Sequence, residues 1–368
     1  MSNNNSKGFF HQALYESGKR IEPSQVVYNT YLNRNESVYE LDDSIKKQII
    51  DELGSYQWRN YPMPYYPDIE KLIAGYCGVL PEQVAVAAGS ASIITTLINY
   101  FAANQRQIVI AQPSFSLYDF HCRTYNIRFD IWPLNQELEY DTSLMPGLKE
   151  NSLVLFASPN NPVGNIISPE VLEKLLGSNP SSLFLLDEVY NEFSPVAYAP
   201  LANKYDNLVL LRSFSKVFSS AGLRAGYIIS APAITEQIRK LILPFSLNHF
   251  SVAFLKYVLN NKWAISMQAE RNKQLIDERD RFYKELKEIE KGTNKIIAVK
   301  SYGNFVLIRF CNEQTFQAFK KKIDEAKIAL LDVSNAPGIG QAYRVTIGHP
   351  PDNNKVLDIL KMVLSTDL

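Results

Sequence analysis

Short, uninterrupted apolar runs bounded by turn residues mark the first two thirds of the chain. Leu153-Val154-Leu155-Phe156 and Leu183-Phe184-Leu185-Leu186 are of this kind, and such runs predict strands buried on both faces of a sheet. With Gln107–Ala111, Leu208–Leu211 and Ala225–Ile229 they alternate with helical patterns from about residue 68 to 245, which predicts an α/β layer structure. After Pro244 the period lengthens. A long helical region reaches about Glu290, with Leu275, Phe282, Leu286 and Ile289 as its apolar stripe. From Ile296 onward the pattern predicts a smaller strand-and-helix lobe with strands at Phe305–Phe310 and Ala342–Ile347. The first 55 residues are polar and mixed, with a helix predicted near Ser44–Leu53. Tyr61-Pro62-Met63-Pro64-Tyr65-Tyr66-Pro67 holds too much proline for regular helix or strand.

Composition narrows the function classes. A chain of 368 residues exceeds the size at which one core usually stops growing, so two lobes are expected. Basic and acidic residues balance at 38 each. The one compact basic run, Lys320-Lys321-Lys322, lies beside Asp324 and Glu325 on a predicted solvated helix face, which argues against nucleic-acid binding. Cys77, Cys122 and Cys311 are odd in number and far apart, the usage of a reducing compartment without a disulfide framework. No apolar stretch has signal-peptide or membrane-span length, and a cytoplasmic protein is expected. His11, His121, His249 and His349 lack metal-ligand spacing, so no metal is expected. Gly338-Ile339-Gly340 matches half of a dinucleotide fingerprint without a following helix and reads as a loop.

The chemistry concentrates in Ser213-Phe214-Ser215-Lys216 and in Arg224. A lysine amine condenses with an aldehyde, and hydroxyls with a guanidinium at a turn ligate a phosphate. Pyridoxal 5'-phosphate carries both groups. Asp187 closes one apolar run, where open α/β sheets bind ligands; it could pair with a protonated pyridine nitrogen, with Tyr190 on the ring oxygen, or it could simply cap a helix. Asn161, in Ser158-Pro159-Asn160-Asn161-Pro162-Val163-Gly164, has an amide that could donate to the same oxygen, and it also suits an ordinary turn. Gly89-Ser90-Ala91-Ser92 precedes a helical pattern, so Ser90, Ala91 and Ser92 offer a phosphate seat, a serine cap, or both. Arg344 alternates with Tyr343 and Val345, pointing away from their face of a strand.

The order Asn161, Asp187, Tyr190, Lys216, Arg224, within SPNNPVG, LLDEVYNEF and RSFSKVFSSAGLRAGY, with AAGSASIITTL and YRVTIG, closely resembles the fold-type I aminotransferases. Within them the chain is similar to the histidinol-phosphate aminotransferase branch from roughly Leu32 to Gly348. The resemblance implies an α/β fold: a large domain with a mostly parallel seven-stranded sheet between helices, at 56–245, and a smaller α+β domain. Residues 246–368 would be the interdomain helix and that small domain, with residues 1–55 packed against it. It further implies pyridoxal 5'-phosphate on Lys216, Phe115 stacked on its ring, and Arg344 on the substrate's anionic end. Tyr61, otherwise a tyrosine of a surface loop, would reach the phosphate of a neighbouring subunit, implying a homodimer with shared active sites.

Two departures from the branch pattern stand out. The family segment Asn-Glu-Asn-Pro-x-Gly-Pro appears here as Asn35-Glu36-Ser37-Val38-Tyr39-Glu40-Leu41. A second arginine, about a dozen residues before the one matching Arg344, is replaced by Leu331 or Asp332. Three functions fit: a ping-pong aminotransferase acting on an amino acid or amino alcohol phosphate with a 2-oxo acid, a decarboxylase resembling threonine-phosphate decarboxylase, and a binding protein that keeps the fold.

Overall fold

The computed structural model of the protein describes residues 27–365; residues 1–26, which include His11, and 366–368 lie outside the described residues. In chain order the strands are β1 (Thr30–Leu32), β2 (Val84–Ala87), β3 (Ile108–Gln112), β4 (Asp130–Pro133), β5 (Leu153–Ala157), β6 (Leu183–Asp187), β7 (Leu208–Ser213), β8 (Gly226–Ser230), β9 (Ile296–Val299), β10 (Phe305–Phe310), β11 (Ile328–Asp332) and β12 (Ala342–Thr346). The helices are α1 (Asp43–Gly54), α2 (Pro67–Cys77), α3 (Ser90–Ala103), α4 (Leu117–Thr124), α5 (Pro169–Ser178), α6 (Pro232–Leu241), α7 (His249–Asn260), α8 (Lys262–Thr293), α9 (Glu313–Glu325) and α10 (Pro350–Ser365).

Seven strands form the larger sheet in the order β2-β8-β7-β6-β5-β3-β4. All pairs from β7 to β4 are parallel, and β8 runs antiparallel to both neighbours. The apolar runs behave as double-sided strands should. Val154, Phe156, Phe184, Leu186, Leu208 and Leu210 enter one core, whereas Leu153, Leu155, Leu185, Val209 and Leu211 enter the core on the opposite face. Removing both faces from water is what makes a parallel sheet stable, at about 25 cal/mol per Å² of apolar surface. Ala157 pairs with Asp187 and Asp187 with Leu211, so the loops leaving β5, β6 and β7 open at one sheet edge.

The smaller sheet has the order β1-β11-β12-β10-β9. Its first strand comes from the N-terminal segment and pairs in parallel with Ile328–Leu330. The helical region after Pro244 is two helices rather than one. Asn261 resets the backbone between them, and its side chain accepts from Ala264 N at 3.1 Å, as an N-cap does. Along α8 the expected stripe is present, with Leu275, Phe282 and Leu286 buried and Ile289 packed against the same core. Buried Arg279 of α8 donates to Phe193 O at 3.1 Å and Gly303 O at 3.2 Å, joining the turn after β6 to the strand entrance of β10. No helix among the described residues is long and apolar enough to cross a membrane.

Candidate active site

An anion seat forms where β2 turns into α3. Gly89 adopts φ 84°, and no side chain caps the helix that follows, so the N–H groups of Ser90 and Ala91 stay free for a ligand, while that of Ser92 donates to Gly89 O at 3.2 Å. Two glycines let other groups approach this end. A Cβ on Gly89 would meet Arg224 Nη2 at 2.9 Å, and one on Gly226 would meet Ser90 N at 2.3 Å. Ser90 and Ala91 open the helix, while Ser92 Oγ donates to Gly89 O at 2.8 Å. Ser213 pairs with Gly226, and its Oγ accepts from Ser215 N at 3.1 Å and lies 3.0 Å from Ser215 Oγ. Arg224 has left-handed φ 55° and donates through Nη1 to Ala221 O at 3.1 Å.

Asp187 ends β6 almost wholly buried. Its carboxylate accepts from Tyr118 Oη at 2.8 Å and from Val189 N at 3.1 Å. Both donors are neutral. Burial therefore pushes its pKa up to about 6, because a buried carboxylate without a cation is poorly stabilised. Half-buried Phe115 stands edge-on to Tyr118 at 5.7 Å. Tyr118 was not nominated from sequence, although it lies three residues beyond Phe115, across a turn closed by the bond from Tyr118 N to Phe115 O at 3.1 Å.

Lys216 follows β7 by three residues, and its Nζ donates to Arg34 O at 2.9 Å. Burial first, then the guanidinium of Arg344, pulls the amine down to about 8, while exposed Glu36 acts in the opposite direction. Arg344 on β12 is buried, donates to Asn161 Oδ1 at 2.5 Å and Asn33 O at 2.6 Å, and lies over the Phe305 ring. Its buried Nε has no partner. Tyr190 Oη accepts from Asn35 Nδ2 at 2.9 Å. Residues 33–35 thus touch Arg344, Lys216 and Tyr190 in succession, two of the three contacts being through backbone carbonyls that no side-chain motif announces.

The strand register decides which residue neighbours Arg344. Leu331 and Leu307 both pair with it, whereas Asp332 pairs with Tyr343. Directly paired residues share a sheet face, so Leu331 lies beside the arginine. Asp332 is on the other face and forms an ion pair with Lys320 at 3.6 Å. Of the two residues that could stand in place of the second arginine, Leu331 is therefore the one beside Arg344. Tyr61 is 85% exposed, its ring 5.6 Å from that of Phe245, and it contributes nothing to this chain's own site. No group of His, Cys, Asp and Glu among the described residues could hold a metal ion.

Comparison with known proteins gives the family and the fold. Residues 29–358 match the family described as aminotransferase class I and II. A histidinol-phosphate aminotransferase of Thermococcus gammatolerans is 31% identical over 355 residues, covering 95% of this chain and 97% of the relative. Among solved structures, the histidinol-phosphate aminotransferase of Sinorhizobium meliloti in complex with pyridoxal-5'-phosphate superposes with a TM-score of 0.80 at 18% identity, over 96% of this chain and 97% of that one. L-threonine-O-3-phosphate decarboxylase of Porphyromonas gingivalis gives 0.76 at 22% identity, over 92% of this chain and 100% of that one; likeness at such identity speaks for the fold alone. The matched span contains β6 with its buried aspartate, the lysine after β7 and the arginine of β12, and the chain belongs to the class I and II aminotransferases.

Proposed function

We propose that this site holds pyridoxal 5'-phosphate and moves an amino group between a carboxylate-bearing amino acid and a 2-oxo acid by ping-pong chemistry. The observation that carries this reading is Asp187, a buried carboxylate met only by neutral donors. A protonated pyridine nitrogen is the cation that would stabilise it. The remaining donors fit the rest of the cofactor. Ser90, Ala91, Ser92, Ser213, Ser215 and Arg224 would hold the phosphate, Asn161 and Tyr190 the ring oxygen, and Phe115 one ring face. With Asn161 Oδ1 turned to Arg344, its amide N–H groups are left for that oxygen.

When bound, the cofactor supplies an electron sink for the carbanion left after loss of the substrate Cα proton. Lys216 is the base that takes this proton and later returns it as an acid, a role suited to an amine lowered to about 8. Asp187 keeps the pyridine nitrogen positive. Arg344 exchanges Asn161 Oδ1 and Asn33 O for the substrate carboxylate, which its fork can clamp bidentately. One guanidinium between Leu307 and Leu331 offsets one negative charge. A phosphate dianion in the same partly buried place would lack a second.

Residues 56–245 then act as the cofactor-binding domain and 246–368 as the interdomain helix and small domain, with the N-terminal segment packed on the latter; the pairing of β1 with β11 supports this division. A homodimer with shared active sites is supported by the exposed apolar side chains of Trp58, Tyr61, Met63, Tyr65, Leu243 and Phe245, of which the Tyr61 and Phe245 rings stand 5.6 Å apart, since grouped exposed apolar side chains mark protein contacts. In that assembly Tyr61 would reach the partner's phosphate seat. Three free cysteines support a cytoplasmic location.

The test is a panel of amino acids added to the cofactor-loaded protein, read by bleaching of its visible band and by product analysis. A 2-oxo acid without carbon dioxide is expected, with histidinol phosphate a poor donor. Carbon dioxide without an oxo acid would replace the reading by a decarboxylase. Efficient turnover of histidinol phosphate would overturn the substrate assignment.

A further inference from the structure

Asn35 is fully buried and uses every polar atom it has. Its Nδ2 donates to Tyr190 Oη at 2.9 Å, and its Oδ1 accepts from Thr346 Oγ1 at 2.9 Å. Its backbone N–H donates to Thr346 Oγ1 at 2.9 Å, and its carbonyl accepts from Asn304 Nδ2 at 3.1 Å. The backbone N–H occupies one lone pair of the threonine hydroxyl. The hydroxyl proton then goes to Oδ1, which leaves the amide N–H groups on the tyrosine side. Asn35 also sits at φ 53°, a left-handed conformation that asparagine tolerates and most residues do not.

We propose that Asn35 is a positioning residue that directs the Tyr190 hydroxyl proton toward the cofactor's ring oxygen. The inference rests on the reading of Tyr190 given above. A phenol has one proton to donate. With the Asn35 amide donating into the phenol oxygen, that proton is the group Tyr190 has left to offer. Each bond in the series Thr346, Asn35, Tyr190 polarises the next, so the last donor is strengthened. The three residues come from β12, the N-terminal segment and the loop after β6, so the proton's direction depends on the closure of both lobes and the segment around the site. Arg344 and Asp187 are the charged groups that act on Tyr190, and neither is altered in the variants below.

A donor to the ring oxygen favours its deprotonated form. Losing that donor should raise the pH midpoint of the visible band of the cofactor attached at Lys216, by about one pH unit for a hydrogen bond to a charged group. The experiment is spectrophotometric titration of the loaded protein, four single variants and one double variant. Tyr190→Phe should raise the midpoint. Asn35→Gly, which suits the left-handed backbone and removes the side chain that carries the amide, should raise it in the same direction, and Thr346→Val should raise it less, with Thr346→Ser restoring the original value. Asn35→Gly combined with Tyr190→Phe should add nothing to Tyr190→Phe alone, since the amide acts through the phenol.

Unchanged midpoints in both Asn35→Gly and Thr346→Val, alongside a shift in Tyr190→Phe, would overturn the role of Asn35 and leave that of Tyr190 intact. An additive shift in the double variant would overturn it as well. No shift in Tyr190→Phe would remove the reading of Tyr190 and this inference with it.

Discussion

Asp187 and Lys216 titrate away from their ordinary ranges in opposite directions, and burial is the leading cause for both. For the aspartate the cost falls on the anion, so a cation beside it gains what burial removed. Asp187→Asn keeps the shape and removes that charge. Turnover should fall by roughly 10²-fold or more while cofactor stays bound, checked by kcat against the absorbance of bound cofactor. Tyr118→Phe deletes one charge-assisted hydrogen bond and should cost about tenfold. For the lysine, the protonated amine is disfavoured and the neutral amine is the form that condenses. Below a pKa of about 8 the amine is increasingly protonated. The rate of cofactor attachment to the stripped protein should therefore rise with pH through a midpoint near 8, measured by growth of the visible band; a rate flat from pH 6 to 10 would contradict this. At this scale much was legible in the chain. Lys216, Asp187, Tyr190 and Arg224 are side chains that carry chemistry in recognisable strings. The carbonyls of Asn33 and Arg34 are not, since every residue has one and only the path of the chain brings these two to the site.

At the level of elements, periodicity located strands and helices but not their register. β5 and β6 read directly from apolar runs, because strands buried on both faces leave no polar position. β11 and β12 were different. The nine residues 333–341 between them allow more than one alignment of Leu331 or Asp332 with Arg344, and hydrogen-bond pairing, invisible in a single sequence, selects Leu331. A one-residue slip reverses every side chain. The substitution that supplies a second guanidinium is therefore Leu331→Arg. It should raise kcat/KM for phosphate-bearing amino compounds about tenfold or more relative to carboxylate ones, as one charge-assisted contact does. Asp332→Arg should leave that ratio unchanged, and instead disturb the Lys320 ion pair on the α9 side. Equal effects of the two substitutions would show that the register is wrong. The division of α7 from α8 at Asn261 was likewise missed, because the residues on both sides are helical and the break is made by one capping side chain.

For the whole molecule, the seven-stranded sheet and the second, smaller sheet were expected from the resemblance and are present. Assembly is the less legible property. Apolar residues at 58, 61, 63 and 65 look like a proline-rich surface loop in the sequence, and only their exposure together with that of Leu243 and Phe245 supports the proposed dimer contact. We expect a dimer by sedimentation at assay concentration, and faster cofactor loss on dilution from Tyr61→Phe. A fully active monomer would contradict shared sites. Lys216, in the loop that follows β7, is the residue proposed to carry the cofactor. Borohydride reduction of the loaded protein followed by peptide mass mapping tests this assignment directly. A reduced pyridoxyl group on Lys216 and none on the Lys216→Ala variant is the expected result; a label on any other lysine would overturn the assignment.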